Sequence, residues 1–135
     1  MNDTTISYRN DMRPDVDLLI DLYRKAGLPR PTGDRERMQE MIERSDLIIS
    51  AWHEQRLVGV ARSITDWRWS CYLADLAVDP GLQKGGIGKE LVRRTKEEVG
   101  DECMVLLLSV PSAMLYYPRI GMEKVENGFI LQRKV

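Results

Sequence analysis

The feature that most constrains the fold is a glycine-rich turn between a predicted strand and a predicted helix. Gly85, Gly86 and Gly88 fall within four positions, and the amphipathic run after them predicts a helix over 86–99. Glycine loses more backbone entropy on folding than any other residue, so a chain that crowds glycines needs their conformational freedom there. A strand that turns tightly into a helix is typical of α/β domains, in which helices pack on a sheet.

This turn has the composition of an anion-binding site. Backbone N–H groups of a glycine-rich turn can converge on a phosphate oxygen, and the following helix adds unpaired N–H groups and the positive end of its dipole. Lys84 and Lys89 add positive charge. A Walker P-loop is excluded, because Gln83 replaces its first glycine and Glu90 replaces its Ser or Thr. The glycine spacing also excludes a Rossmann fingerprint. A plain strand-to-helix turn stays open as an interpretation of this stretch alone.

Helical and strand patterns alternate along the chain. Apolar spacings of three and four predict a first helix that opens at Pro14 and stops at Gly27, followed by a second helix capped by Thr32 or Asp34. The pattern predicts one α/β (α+β) domain over residues 1–135, with a mixed sheet of six to seven strands and about four helices. The predicted strands are residues 4–8, the two arms of a hairpin around 54–56, residues 69–78, residues 104–110 and two last strands that end at Val135.

Composition excludes several classes of protein. The net charge of -1 gives no general attraction to nucleic acid or to an anionic membrane, so neither partner is expected. No apolar run approaches the roughly 18 residues of a membrane span. His53 is the only histidine, and Cys71 and Cys103 have no metal-ligand spacing, so we expect no metal. The polar N-terminal stretch does not have a signal-peptide pattern, and we expect a cytoplasmic protein.

Two segments together resemble the signatures of one enzyme superfamily. Gln83, Gly86 and Gly88 occupy the pattern Gln/Arg-x-x-Gly-x-Gly/Ala of the GNAT N-acetyltransferases, directly after the strand end Leu76-Ala77-Val78-Asp79-Pro80. A second segment, AMLYYPRIGM, resembles the superfamily's short tyrosine helix. The order of predicted strands and helices extends the resemblance over nearly the whole chain. The residues that fit the second signature are Ala113, Tyr117, Gly121 and Met122.

The resemblance implies an acetyl-CoA-dependent N-acetyltransferase that transfers acetyl directly to a primary amine in a ternary complex. It implies a mostly antiparallel sheet that splays at a β-bulge between the strand 69–78 and the following parallel strand, where free backbone groups bind the pantetheine arm. It makes Tyr117 the general acid for the leaving thiolate, since a phenol with a pKa near about 10 is protonated at neutral pH. Tyr116 fits a packing position. The implied acetyl-CoA-binding residues are Leu76, Ala77, Val78, Gln83, Lys84, Gly85, Gly86, Ile87, Gly88 and Lys89.

Some points stay open at this stage. Val110 replaces a frequent Asn, and Pro118 disfavours a helical conformation at Tyr117. These departures leave a catalytically impaired CoA or acetyl-CoA-binding sensor or assembly partner as the alternative. A nucleotide-binding regulator is a weaker one, since the glycine-rich turn could bind any pyrophosphate. Asp75 is the nearest candidate base, although a hydrogen-bonded structural acid is the favoured interpretation. The acceptor is a small-molecule amine or an amine of a peptide or protein, and homodimerisation is left open.

Overall fold

The computed structural model describes residues 5–135, apart from the side chains of Gln83 and Lys84. The sheet of this part has five strands in the order β1-β2-β3-β4-β5, with β5 parallel to β4 and all other pairs antiparallel. No helix in the described part is long and apolar enough to span a membrane. The elements are β1 (Ser7–Arg9), α1 (Val16–Ala26), α2 (Arg35–Glu43), β2 (Leu47–His53), β3 (Arg56–Thr65), β4 (Ser70–Val78), α3 (Ile87–Val99), β5 (Met104–Leu106) and α4 (Tyr116–Arg119), with short 3₁₀ turns at Pro80–Gly85 and Pro111–Ala113.

The ends of the first two helices follow local signals. The Asp15 side chain caps α1, and Gly27 ends it with a left-handed φ of 71°. The side chain of Asp34 accepts a hydrogen bond from the Arg37 N–H, so Asp34 and not Thr32 caps α2. Helices α1 and α2 pack on one face of the sheet and α3 packs on the other, each over its own apolar cluster.

A β-bulge divides β4 into two halves. Arg62 of β3 pairs with Asp75, but the next residue, Ser63, pairs with Leu73, which leaves Ala74 as the extra residue. The bulge shifts the side-chain alternation. Leu73 therefore packs in the cluster under α3, whereas Asp75 bonds to a residue of α1.

The parallel pair at the sheet edge is short. Ser70–Tyr72 of β4 pairs with Met104–Leu106 of β5, and beyond these three positions the two chains diverge. The splay implied by the resemblance is therefore present. Residues 107–110 pair with no strand of the described chain, so the predicted strand 104–110 is realised only in its first three residues.

The prediction of six to seven strands was wrong, since the sheet of residues 5–135 has five. The first strand is Ser7–Arg9 and not 4–8, and Thr4 lies outside the described residues. The last two predicted strands are not formed. A strand requires a hydrogen-bonded neighbour, and residues 123–135 make no main-chain hydrogen bond to another main-chain group of the described chain.

The Asp75 carboxylate joins three elements to the bulge. It is 1% exposed and accepts hydrogen bonds from Tyr23 Oη of α1 at 2.7 Å, Arg62 Nε of β3 at 2.5 Å and Arg30 Nε of the α1–α2 loop at 2.5 Å. Burial by itself would raise the pKa of Asp75, but hydrogen bonds and charges from Arg62 and Arg30 hold this pKa below its usual value. Burial, together with the Asp75 charge, raises the pKa of Tyr23 well above its usual value. The carboxylate is thus fully engaged, which supports a structural role.

We predict that Asp75→Asn lowers the free energy of unfolding by about 3–5 kcal/mol at neutral pH, because two guanidinium groups lose their counter-charge. The pKa of Asp75 is lowered in the folded protein. Its stabilisation is therefore present above the pKa of unfolded aspartate and is lost as the pH falls through the folded-state pKa. Urea unfolding from about pH 7 down to about pH 3 should show the difference between wild type and variant shrinking.

The matched control is Asp21→Asn, which removes an exposed ion pair with Lys25 one helical turn away. It should change stability far less, because exposed pairs contribute little. An Asp75→Asn protein as stable as this control would contradict the role given to the buried network.

Candidate functional site

A cavity of about 310 Å³ opens where β4 and β5 diverge. Its walls come from the C-terminal end of α1 and the loop after it, the second half of β4, the first turn of α3, residues 107–113 and α4. The divergence leaves β4 without a strand on that side beyond Tyr72. The cavity is therefore bordered by main-chain groups as well as by side chains.

The structure brings five of the eleven predicted site residues to this cavity. Leu76, Ala77 and Val78 line it from β4, Gly88 from α3 and Tyr117 from α4. In sequence these residues span three separate segments. The tyrosine helix and the glycine turn therefore meet across the gap between β4 and β5.

The other predicted residues belong to the turn itself. Gly85, Gly86 and Lys89 are exposed. The Ile87 side chain is buried at 2% exposure in the core under α3, so only its main chain is placed to contact a ligand. Gln83 and Lys84 lie in the 3₁₀ turn before α3, and their side chains are outside the described part of the structure.

Gly86 gives the turn its shape. Its φ of 79° is left-handed, and it occupies the N-cap position of α3, where no side chain of the described residues caps the helix. A Cβ at Gly86 would meet nothing within 4 Å, so the backbone conformation and not a lack of space is what requires glycine here. An uncapped helix N-terminus presents first-turn N–H groups suited to an anion.

Gly88 is required for a different reason. A Cβ at this position would lie 2.5 Å from Tyr116 Oη, so the Tyr116 hydroxyl packs directly on the first turn of α3. The two residues are far apart in sequence, and the sequence offered no signal for their contact. The packing position expected for Tyr116 is consistent with this arrangement.

Tyr117 lies beside Tyr116 in α4. The two ring centroids are 5.3 Å apart with the rings nearly perpendicular. Burial raises the pKa of Tyr117, and the neighbouring Tyr116 raises it further, which keeps the phenol protonated at neutral pH. Pro118 does not remove Tyr117 from the helix, since α4 spans Tyr116–Arg119. Proline is tolerated in the first turn of a helix, where its missing N–H has no intrahelical partner.

Arg30 is the only charged side chain among the described residues that line the cavity. Its guanidinium donates to Asp75, to the Ala74 carbonyl at 2.8 Å and to the Pro29 carbonyl at 2.7 Å. The sequence interpretation did not single out Arg30, because a lone arginine in a loop has no local signature. Among its described residues the cavity wall has no carboxylate and no histidine, and residues 5–135 hold no cluster of side chains suited to a metal ion.

Trp67 and Trp69 do not line the cavity. They lie in the turn between β3 and β4.

Comparison with known proteins agrees with this geometry. The sequence model of the Acetyltransferase (GNAT) family matches residues 16–122. The chain is 26% identical over 117 residues to GCN5-related N-acetyltransferase 1, chloroplastic, from Arabidopsis thaliana, which covers 84% of this chain and 58% of that protein. The chain thus spans little more than half the length of this relative.

Solved structures show the same fold. A protein of unknown function from meticillin-resistant Staphylococcus aureus superposes with a TM-score of 0.81 at 18% identity, over 96% of this chain and 100% of that one. A GNAT family acetyltransferase from Streptococcus pneumoniae superposes with a TM-score of 0.79 at 21% identity, over 97% and 100%. The chain belongs to the GNAT acetyltransferase family, with an α/β fold built on a mixed sheet.

We predict that Gly88→Ala lowers the free energy of unfolding by about 1–3 kcal/mol, because the new Cβ forces Tyr116 to move. In a Tyr116→Phe background the nearest remaining ring atom lies 3.4 Å away, so the same change should cost much less. Urea unfolding of the wild type, of each single variant and of the double variant measures the coupling between Gly88 and Tyr116.

Gly85→Ala is the control, since its Cβ would meet nothing within 4 Å and its φ is not left-handed. It should leave stability nearly unchanged. An equal cost of Gly88→Ala in both backgrounds would show that Tyr116 does not contact Gly88 in solution.

Proposed function

We propose that the protein is an acetyl-CoA-dependent N-acetyltransferase that transfers acetyl directly to a primary amine in a ternary complex. The observation that most supports this proposal is that the cavity between β4 and β5 meets the uncapped N-terminus of α3. Acetyl-CoA supplies the acetyl group as a reactive thioester. The residues of this chain supply binding, orientation and a proton.

The main chain binds the coenzyme. Beyond Tyr72, β4 forms no ladder with β5, so main-chain groups near Leu76 and Ala77 are open to an extended amide-bearing arm, as in the addition of a strand. The first turn of α3 and the left-handed Gly86 hold the pyrophosphate by N–H groups and the helix dipole. This binding orients the thioester toward the cavity wall formed by α4.

Tyr117 acts as the general acid. Tyr117 lines the cavity from α4, and its raised pKa keeps the phenol protonated. It donates this proton to the sulfur that leaves, a contribution typically of about 10²–10⁴ in rate. Tyr116 instead packs against Gly88 and holds α4 against α3.

The acceptor reacts as a neutral amine that carries no further positive charge. The described cavity wall has no carboxylate to attract an ammonium group or to remove its proton. Arg30, which lines the cavity, and Arg62 surround the single carboxylate of Asp75, which leaves a net positive charge. A nearby positive charge favours the neutral form of an amine. Deprotonation therefore proceeds through solvent, and polycationic acceptors are disfavoured.

The proposal is tested by binding and turnover. Calorimetry should detect acetyl-CoA, and ligand at 100 times the dissociation constant should stabilise the fold by about 2.7 kcal/mol. Gly86→Ala should weaken binding because φ of 79° strains any side chain, while Gly33→Ala, in the α1–α2 loop, should not, since its Cβ would meet nothing within 4 Å and its φ is not left-handed. No binding at millimolar ligand, or unchanged affinity in folded Gly86→Ala protein, would contradict the proposal.

Turnover is measured as thiol release with an amine panel. A neutral-bodied amine such as 2-phenylethylamine should be acetylated with higher kcat/KM than the polycation spermidine, and kcat/KM should rise with pH as the amine deprotonates. Binding without release for every amine would favour the coenzyme-binding sensor. A preference for spermidine would contradict only the argument that the positive charge near the cavity disfavours polycationic acceptors, and not the acetyl transfer itself.

We predict that Tyr117→Phe lowers kcat by about 10²–10⁴ and leaves the dissociation constant of acetyl-CoA nearly unchanged, because only the proton donor is lost. Tyr116→Phe, the matched control, keeps the ring and should retain kcat. Steady-state kinetics with one active amine across neutral to alkaline pH, combined with calorimetry, measures both effects. A loss of kcat in Tyr116→Phe but not in Tyr117→Phe would make Tyr116 the general acid. An unchanged kcat in both variants would mean that solvent supplies the proton.

A further inference from the structure

The loop between α1 and α2 brings Arg30 to the cavity from a restrained backbone. Arg30 lies between Pro29 and Pro31, whose rings fix φ at both positions, and Pro31 also disfavours a helical conformation at Arg30. Arg24 of α1 donates to the side chain and to the carbonyl of Thr32 at 3.2 and 3.1 Å. These two contacts tie the loop to the helix, so the chain is held on both sides of Arg30.

The guanidinium of Arg30 is also fixed in its orientation. Its three nitrogen atoms each donate one hydrogen bond, to the Asp75 carboxylate and to the carbonyls of Ala74 and Pro29. A guanidinium has five N–H donors, so these contacts with the described residues leave two of them. The side chain is 23% exposed and lines the cavity. Arg30 thus presents a fixed cation that has donors left for a ligand.

Asp75 neutralises this cation only in part. Its two carboxylate oxygens are shared between Arg30 and Arg62. Two guanidinium charges therefore face one carboxylate, and the described lining of the cavity adds no second carboxylate. The Arg62 side chain is 8% exposed and does not belong to this lining, whereas Arg30 does. The surplus positive charge of the pair is thus accessible to a ligand at Arg30.

Arg30 lies far from the glycine turn along β4. It bonds to the Ala74 carbonyl at the bulge, whereas α3 begins at the other end of this half of the strand. The side chain of Ile87, the first residue of α3, packs against Gly59, which pairs with Val78. A strand rises about 3.3 Å per residue, so Ala74 lies roughly 13 Å from Val78 along β4. Arg30 is therefore not placed to bind the coenzyme phosphates at the glycine turn.

We infer that Arg30 binds a carboxylate of the acceptor, so that the acceptor is a small amine that also carries an acidic group. This inference rests on the proposed acetyl transfer and names the class of its acceptor. A carboxylate has two oxygens for the two remaining donors, and an arginine holds it by strong charge-assisted hydrogen bonds. Ala26, Leu28 and Leu73 also line the cavity and give the carbon chain of the acceptor an apolar surface.

Arg30 orients the acceptor and takes no part in making or breaking bonds. The amine nitrogen forms a bond to the acetyl carbon, the carbon–sulfur bond breaks, the amine gives a proton to solvent and the thiolate receives one from Tyr117. The carboxylate lies at the other end of the acceptor, against Arg30. An acceptor held in this way has its amine directed toward the thioester, and its own negative charge suits the surplus positive charge of the wall.

The first test compares amino acids with their own amides. β-Alanine, γ-aminobutyrate and δ-aminovalerate place the carboxylate at increasing distances from the amine, and each amide removes only the negative charge. The kcat/KM per neutral amine, measured as thiol release, should be about 10-fold or more higher for at least one acid than for its amide. Amides acetylated as well as every acid would overturn this inference and leave acetyl transfer intact. No release from any amine would overturn both.

The second test removes the guanidinium. Arg30→Gln should lower kcat/KM for the best acid by about 10–100-fold more than for its amide, because charge-assisted hydrogen bonds to the carboxylate are lost. Acid and amide react on the same protein, so any loss of stability affects both and cancels in their ratio. Arg30→Lys keeps the charge but loses the planar fork of donors, and its preference should fall between those of wild type and Arg30→Gln.

The matched control is Arg62→Gln. It removes the same charge from the same carboxylate, but at a residue that does not line the cavity. It should keep most of the preference for the acid, and circular dichroism checks that each variant is folded. An equal loss of preference in Arg62→Gln and Arg30→Gln would show that the charge of the network acts at a distance and that Arg30 does not contact the carboxylate.

A third test uses the unaltered protein, so it does not depend on the folding of any variant. Butanoate has a carboxylate but no amine, and it should inhibit acetylation competitively with the acceptor and not with acetyl-CoA. Butanamide, its uncharged counterpart, should inhibit far less. Inhibition by butanoate that is no stronger than that by butanamide, or that is competitive with acetyl-CoA, would overturn the inference.

Discussion

The buried Asp75 carboxylate is the interaction on which both sides of the site depend. It receives one hydrogen bond from α1, one from the loop after α1 and one from β3. Asp75 faces these donors because the bulge at Ala74 shifts the alternation of β4 by one residue. The same shift sets which side chains of β4 face α3 in the half of the strand that borders the cavity. The Asp75 carboxylate thus fixes both the position of the loop after α1 and the path of β4.

Local chemistry explains why much of the fold was predictable. A helix stop at Gly27, a cap at Asp34 and a strand–turn–helix around Gly86 depend on residues a few positions apart, and the structure has each of them. The two motifs that carried the resemblance also meet at one cavity, because the strand before the glycine turn and the tyrosine helix lie on either side of the splay. A pattern within one segment was sufficient for these elements.

The features that the sequence did not predict all depend on distant partners. The contact of Tyr116 with Gly88 joins α4 to α3, and the role of Arg30 depends on a carboxylate far along the chain. The last two strands were predicted from a strand-like local pattern that ends at Val135. A strand also needs a neighbour, and the described chain provides none there. Propensity alone could not show whether that neighbour lies in the same chain.

The Asp75 network also bears on the chemistry of the proposed reaction. A carboxylate whose pKa is lowered by Arg62 and Arg30 stays ionised at neutral pH, and a Tyr117 phenol whose pKa is raised stays protonated. Neither group changes its charge near neutrality, so neither limits the reaction by its titration there. The pH dependence of the transfer then arises in the acceptor amine itself. In the proposed reaction the positive charge of the network would lower the pKa of that amine. The interaction that anchors β4 to α1 would then also favour the form of the acceptor that can attack.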